Sequence, residues 1–354
     1  MKVYFPHLNT LRFFAALLVF VHHVEMYKKL FSLDNFFDNS TIQLMGKIGV
    51  TLFFVLSGFL ITYLLIAEEK EHGFISIKAF YIRRIKRIWP LYFLLIILAF
   101  FVLPQISWMN LPEHNNEHFY TKLAFFVLMM PNVIHALGAG VAYATPAWSI
   151  GVEEQFYLIW PWLMRYVRNK MNIVLGVILF YLVVKYTLAW NTDVEFINQL
   201  NKIWSLFPID NMAVGGFFAI AFHYHYSGII AFVQNKWLQI AVWITTISLI
   251  ISGMSLGFFH YQIYAVLFGL IIFNLALNKN SIVQFRSDII EYLGRISYGI
   301  YMYHSITIVV CIKLLMHFAI FNQVLLYLLS LLMTIGVSAL SYEFFEVKIT
   351  GKRK

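Results

Sequence analysis

Ten long apolar stretches separated by short charged segments leave this 354-residue chain few folds to choose from. They cover about residues 8–27, 44–66, 88–103, 150–167, 171–190, 209–226, 237–255, 259–277, 293–315 and 324–345. A helix crosses the hydrocarbon of a bilayer with about 20 residues, whereas a tilted barrel strand needs only about 9–11. Lipid offers no hydrogen bonds to the backbone, so a spanning segment must satisfy its own. The expected fold is therefore all-α: a polytopic integral-membrane bundle of about ten transmembrane helices, forming one domain over residues 1–354. Composition agrees, with 61% hydrophobic and only 12% charged residues, against roughly 45–50% and about 25% in soluble domains.

The charges that remain are unevenly placed. With the N-terminus inside, the inner segments carry Lys70, Lys78, Arg83, Arg84, Lys86, Arg87, Arg165, Arg168, Lys170, Lys236, Lys279, Arg286, Lys348, Lys352, Arg353 and Lys354. The outer segments hold only Lys28, Lys29, Lys122 and Lys202. That asymmetry is the positive-inside rule with both termini cytoplasmic. It also accounts for the net charge of +9 without invoking nucleic acid. The stretch 123–137 is apolar too, but Pro131-Asn132 interrupts it, and a full span there would put Arg165–Lys170 outside; a short re-entrant or interfacial helix is expected. Lys2 and Arg12 flank the first stretch without a signal-peptidase pattern, so that stretch is expected to be a retained span. The longest polar outer segment, 104–122, contains Asn110, Glu113, His114, Asn115, Asn116, Glu117 and His118. A single cysteine, Cys311, supplies neither a disulfide framework nor a thiolate metal site, and no metal is expected.

Ionisable groups inside such spans are costly and are functional candidates by default. His22-His23 lies in the first stretch, His23 roughly 16 Å beyond Arg12 at 1.5 Å per residue. A neutral imidazole there can accept the proton of an attacking hydroxyl near pH 7; equally, either histidine can simply bond a neighbouring helix. Residues 46–60 place Gly46, Gly49, Ser57 and Gly58 in an apolar run, the composition of a close helix contact, and Ser57 has no acidic partner in sequence. Arg83-Arg84-Ile85-Lys86-Arg87 stands at the entrance to the third span. Arg84 and Arg87 can share a helix face and suit a phosphorylated ligand, although lipid headgroups would be met by the same charges. Glu153-Glu154, after Ser149, begins the fourth span; the pair reads as capping and first-turn charge or as a carboxylate that orients an imidazole. Late in the chain, Arg295 sits where it could reinforce an anion site, and His304 falls near mid-membrane among tyrosines that read first as core. Glu343 and Glu346 lie at the inner end of the last span, within reach of arginines.

In order along the chain these pieces resemble the membrane-bound acyltransferase family 3, bacterial O-acyltransferases of cell-surface and secreted glycans. Leu8-Asn9-Thr10-Leu11-Arg12, running on to His23, is similar to the family's opening Leu-Asp-Gly-Leu-Arg segment, with Asn9-Thr10 in place of Asp-Gly. Residues 49–60 resemble its Gly-Val-x-x-Phe-Phe-x-x-Ser-Gly-Phe segment, with Thr51 where an acidic residue is common. Arg84-x-x-Arg87, Trp148-Ser149 through Tyr157 and residues 294–304 resemble three further motifs, and Lys348 stands where proline often follows the last glutamate.

The resemblance implies transfer of an acyl group, usually acetyl from cytoplasmic acetyl-CoA, to a hydroxyl of a glycan such as O-antigen, exopolysaccharide or capsule, in the bacterial cytoplasmic (inner) membrane among its lipids. It carries the key histidine to His23, the donor-binding arginines to Arg84 and Arg87, and a glutamate to Glu153. Some relatives carry an added extracytoplasmic hydrolase-like domain; none is expected here, so that acceptor delivery is expected to rely on the bundle itself. On this reading His23 is the base and Glu153 its orienting partner, both in the outer half, with the arginines inside. The rival class is a glycan or lipid-linked sugar transporter whose polar groups line a passage.

Overall fold

Helix starts and stops follow local chemistry in the computed structural model, which describes residues 5–111, 117–320 and 322–351. Lys2, Glu113, His114, Asn115, Asn116, Lys352, Arg353 and Lys354 lie outside the described residues. Helix α1 (Pro6–Leu30) begins on a proline, which forfeits no helical hydrogen bond at that position. Helix α2 (Ser40–His72) is capped by Asn39, whose side chain accepts from the Thr41 amide, and stops at Gly73, left-handed at φ +80°. Helix α3 (Ile77–Ile97) starts where Ser76 accepts from the Ala79 amide, eleven residues before the expected span. It continues through a π-helical turn, Leu98–Val102, and a short Leu103–Gln105 turn.

The broken apolar run becomes two short helices, α4 (Phe119–Val127) and α5 (Pro131–Ala136), the second opened by its proline. At 1.5 Å per residue neither spans a bilayer. Then follow α6 (Ala147–Tyr166), α7 (Lys170–Ala189), α8 (Glu195–Ser205), α9 (Ile209–His223), α10 (Ser227–Gln234) and α11 (Lys236–Ser252). The chain closes with α12 (His260–Leu277), α13 (Asp288–Arg295), α14 (Ser297–His317), α15 (Gln323–Ser341) and α16 (Val347–Thr350). The expected ninth span, 293–315, is therefore interrupted at Ile296. No strand occurs among the described residues.

Seven helical segments among the described residues are long and apolar enough to cross a membrane, as expected of a multi-pass membrane protein: Ser40–His72, Ile77–Gln105, Lys170–Ala189, Glu195–His223, Gly257–Leu277, Ser297–His317 and Gln323–Thr350. The other three expected spans fall on α1, α6 and α11. Helix α1 carries Asn9, Arg12, His22, His23 and Glu25, and α6 carries Glu153, Glu154 and Gln155, which dilute their apolar character. Helix α11 is apolar but only 17 residues long.

Glycines set the closest helix approaches. A Cβ on Gly58 of α2 would lie 1.8 Å from the Met212 carbonyl oxygen of α9, and one on Gly215 of α9 2.1 Å from that of Val55. Gly49 meets the Ala15 carbonyl of α1, and Gly46 the His22 ring, in the same way. The packing role expected for Gly46, Gly49 and Gly58 thus holds. Ser57, one residue from Gly58 and about 100° round the helix, faces elsewhere.

Candidate active site

Ser57 faces a cavity of about 90 Å³ enclosed by α1, α2, α3, α6 and α14. Three guanidinium-bearing residues line it, Arg12, Arg84 and Arg87, together with Glu153. The arginines come from two helices and the glutamate from a third, so sequence separation hides their meeting. Arg12 is held by donating to the Asn9 side-chain oxygen at 2.7 Å. Arg84 lies against the rings of Phe80 and Tyr157, 5.6 and 5.9 Å from their centroids, an arrangement that orients a guanidinium. Its Nε is buried and has no hydrogen-bond partner among the described residues. Arg83, next in sequence, is 46% exposed and pairs with Glu68 at 2.8 Å. The helix begun at Ser76 therefore sorts the basic cluster by face.

Glu153 accepts from both sides: Ser57 Oγ donates to one oxygen at 2.9 Å and the Tyr157 hydroxyl to the other at 2.8 Å. The acidic partner missing for Ser57 in sequence is thus Glu153. Glu154 turns away, accepting from Trp89 Nε1 at 2.8 Å. Ser149 is no helix cap, since α6 starts at Ala147 without a side-chain cap. Its hydroxyl is 2.7 Å from that of Tyr301, and both residues line the cavity. Arg295 is engaged by Glu291 at 3.4 Å, off the cavity. Glu346 accepts from Ser341 at 3.3 Å, and no ion pair to it or Glu343 occurs among the described residues.

His23 lies outside the cavity lining. It is buried, and its Nδ1 is 2.9 Å from the Val19 carbonyl oxygen. A carbonyl only accepts, so Nδ1 bears the proton and the neutral ring keeps a bare, basic Nε2. His22 is tied in the same manner to the Ile42 carbonyl at 2.9 Å. On its other side the His23 ring meets His304 of α14, centroids 4.7 Å apart. His304 lies about one turn beyond the cavity-lining Tyr301 on α14, 5.9 Å away ring to ring. Tyr301, with Phe53 at 5.5 Å, thus stands between the histidines and the arginines. Sequence reasoning missed Arg12 and the contact of His304 with His23; a cation within the first turns of an apolar span was the available signal for the first.

Comparison with known proteins accords with this picture. The sequence profile of the acyltransferase family 3, described as an acyltransferase domain, matches residues 5–343. The peptidoglycan O-acetyltransferase OatA of Listeria monocytogenes is 28% identical over 186 residues, 49% of this chain and 28% of that protein. A putative peptidoglycan O-acetyltransferase of Bacillus subtilis, YrhL, is 32% identical over 167 residues, 45% of this chain and 23% of its own length. An uncharacterized protein of Haemophilus influenzae is 31% identical over 179 residues, 48% of this chain and 73% of that protein. The match thus spans only about a quarter of each named peptidoglycan enzyme. No solved structure matches. A profile match over nearly the full length, on the segments that build the cavity, places the chain in the acyltransferase family 3.

Proposed function

We propose that this protein moves an acetyl or other short acyl group from acyl-CoA to a hydroxyl of an extracytoplasmic glycan, from a bacterial inner membrane that it crosses ten times with both termini in the cytoplasm. The observation that carries the reading is the convergence of Arg12, Arg84 and Arg87 on one cavity, with a basic imidazole nitrogen beyond Tyr301. Three guanidinium groups suit the phosphates of a CoA, each able to make a two-pronged contact. Arg84 Nε, buried and unpartnered, is a donor awaiting such an acceptor. The thioester arm would run from the arginines past Ser57 and Ser149 towards Tyr301.

In the transfer, His23 Nε2 takes the proton of the glycan hydroxyl while its oxygen attacks the acyl carbonyl carbon. The new C–O bond forms, the C–S bond breaks, and the CoA sulfur departs with the electron pair to be protonated. Hydroxyl donors near the cavity, Tyr301 foremost, would stabilise the oxyanion. Glu153 belongs to the donor site in this scheme: its two hydrogen bonds hold Ser57 and Tyr157, and Tyr157 backs Arg84. The names of the Listeria and Bacillus relatives make peptidoglycan the first acceptor to try.

The test is CoA release from acetyl-CoA by protein in vesicles, with and without peptidoglycan fragments or a crude envelope glycan fraction. Glycan-dependent release that disappears in His23→Ala supports the reading. Full activity in correctly inserted His23→Ala would sink the assigned base, and absence of both release and labelled-CoA binding would sink the acyltransferase reading.

A further inference from the structure

An acceptor sugar must be held on the outer side while one of its hydroxyls stays at His23, and none of the groups that hold the donor does that. On the proposed topology the chain between α3 and α6 lies outside, and α5 returns from there to pack on α6. Gly151 of α6 admits it: a Cβ there would fall 2.7 Å from Pro131 Cδ. Gln155 then pins the start of α5, its amide nitrogen donating to the Met129 carbonyl at 2.9 Å and to Asn132 Oδ1 at 2.8 Å. One turn beyond that anchor stands His135. Its ring lies parallel to the indole of Trp148, with 6° between planes and 5.9 Å between centroids. At a contact distance of about 3.5 Å such rings are displaced sideways by about 4.7 Å, so they form a step and leave part of each face uncovered by the other. Phe54 meets Trp148 edge-on, at 83° and 6.2 Å.

His135 and Trp148 are both partly exposed. The loop after α5 is small and open: Gly138, left-handed at φ +78°, has nothing within 4 Å of a Cβ, and Gly140 meets only the His135 ring, at 3.6 Å. His22, His23 and His304 each tie a ring nitrogen to a backbone carbonyl. His135, close enough to act electrostatically on His23, makes no side-chain hydrogen bond among the described residues. Partial burial holds its ring below the usual histidine range, with Lys47 of α2 adding to the effect. It is thus neutral near pH 7, with one nitrogen to donate and one to accept. Ser149, next to Trp148, lines the cavity, its hydroxyl 2.7 Å from that of Tyr301. One turn of α6 therefore serves the donor cavity on one face and the aromatic step on another.

We propose that His135 and Trp148 form the acceptor subsite, binding one pyranose ring of the glycan so that a hydroxyl of that sugar reaches His23. The weakly positive C–H groups on one face of the sugar lie against the electron-rich indole and imidazole faces, and a second hydroxyl bonds the free His135 nitrogens. A ring with a C–H face and hydroxyls round its edge satisfies both residues; a simple alkyl alcohol satisfies only the imidazole. The proposal rests on the acyltransferase reading and gives its acceptor a place.

The experiment measures CoA release in vesicles from acetyl-CoA and soluble peptidoglycan fragments, taking the KM for each substrate in turn. His135→Phe keeps the stack and removes the nitrogens, whereas Trp148→Leu removes the platform. Loss of a neutral hydrogen bond or of one aromatic contact should raise the glycan KM about three- to tenfold in each, with the KM for acetyl-CoA and labelled-CoA binding unchanged. His135→Gln, which keeps a donor and an acceptor, and Trp148→Phe, which keeps a ring, should each recover part of the loss. An unchanged glycan KM in either His135→Phe or Trp148→Leu would overturn the proposal, and His135→Phe decides alone if the leucine variant does not insert. Equal rises in both KM values, or lost CoA binding, would overturn it too, since the pair would then only hold α5 against the bundle. Wild-type protein without glycan-dependent release would remove the parent reading before any variant is compared, and the subsite with it.

Discussion

Replacing Arg84 by lysine retains the cation and removes the fork, which separates a donor-binding guanidinium from mere basicity. Arg84 is held between Phe80 and Tyr157 with Nε buried and unpartnered, so a bound phosphate would gain two parallel N–H···O bonds. A lysine ammonium restores one. The lost bond, charged on both sides, is worth about 1.5–3 kcal/mol, and at about 1.4 kcal/mol per decade the KM for acetyl-CoA should rise about ten- to a hundredfold. Arg84→Ala should be at least as severe. Arg83 provides the control: it is 46% exposed and paired with Glu68 at the surface, an arrangement worth about 0–1 kcal/mol. Arg83→Ala should therefore change that KM by less than about fivefold. The assay is CoA release over a range of acetyl-CoA at fixed glycan, checked by labelled-CoA binding. Equal effects of Arg83→Ala and Arg84→Ala would refute the reasoning, because they would mean that the summed charge of the cluster matters and the cavity does not.

Three further outcomes are expected. His23→Ala should lose at least about a hundredfold in kcat, the usual scale for a general base, whereas His22→Ala, tied only to the Ile42 carbonyl, should stay within about tenfold; reversed ranks in the same CoA-release assay would move the base by one residue. Glu153→Gln keeps the volume but weakens two charge-assisted hydrogen bonds, and should raise the KM for acetyl-CoA about tenfold through the loosened Tyr157 behind Arg84; an effect confined to kcat would place the carboxylate with the histidines instead. Gly58→Ala puts a Cβ 1.8 Å from the Met212 carbonyl and should cost about 3 kcal/mol, the upper end for overpacking. Gly176→Ala, where nothing lies within 4 Å, should gain a few tenths to about 1 kcal/mol. Thermal unfolding in detergent compares the two, and equal midpoints would contradict the close contact.

The elements were legible where apolar length governs them and illegible where polar residues interrupt it. Helix α3 begins at Ile77 because Ser76 caps it, yet Arg83 to Arg87 break the apolar pattern and move the apparent span to residue 88. The break between α13 and α14 falls on an apolar residue, Ile296, and no proline marks it. Within the site, Arg84, Arg87 and His23 stood out because charge or imidazole in an apolar context is conspicuous. Their relative placement was not readable. Ser57 and Glu153 are 96 residues apart and Ser149 and Tyr301 152 apart, and one sequence carries no record of such pairings. That Glu153 takes the Ser57 hydroxyl was unreadable for that reason.

The contact between α2 and α9 has a mechanical consequence. At Gly58 and Gly215 the two helices meet backbone to backbone, with no side chain between them to change rotamer and absorb a displacement. Helix α2, which bears Ser57, is therefore the fixed jaw of the cavity. The opposing jaw is built otherwise: α3 and α6 each carry an internal proline, Pro90 and Pro161, and α3 ends in a π-helical turn. Those are the places where a helix loses ladder hydrogen bonds and bends cheaply. Since the same two helices carry Arg84, Arg87 and Glu153, any bending at those points would carry the proposed donor-binding groups with it, so that on the proposed function loading and gripping would be successive positions of a single hinged wall.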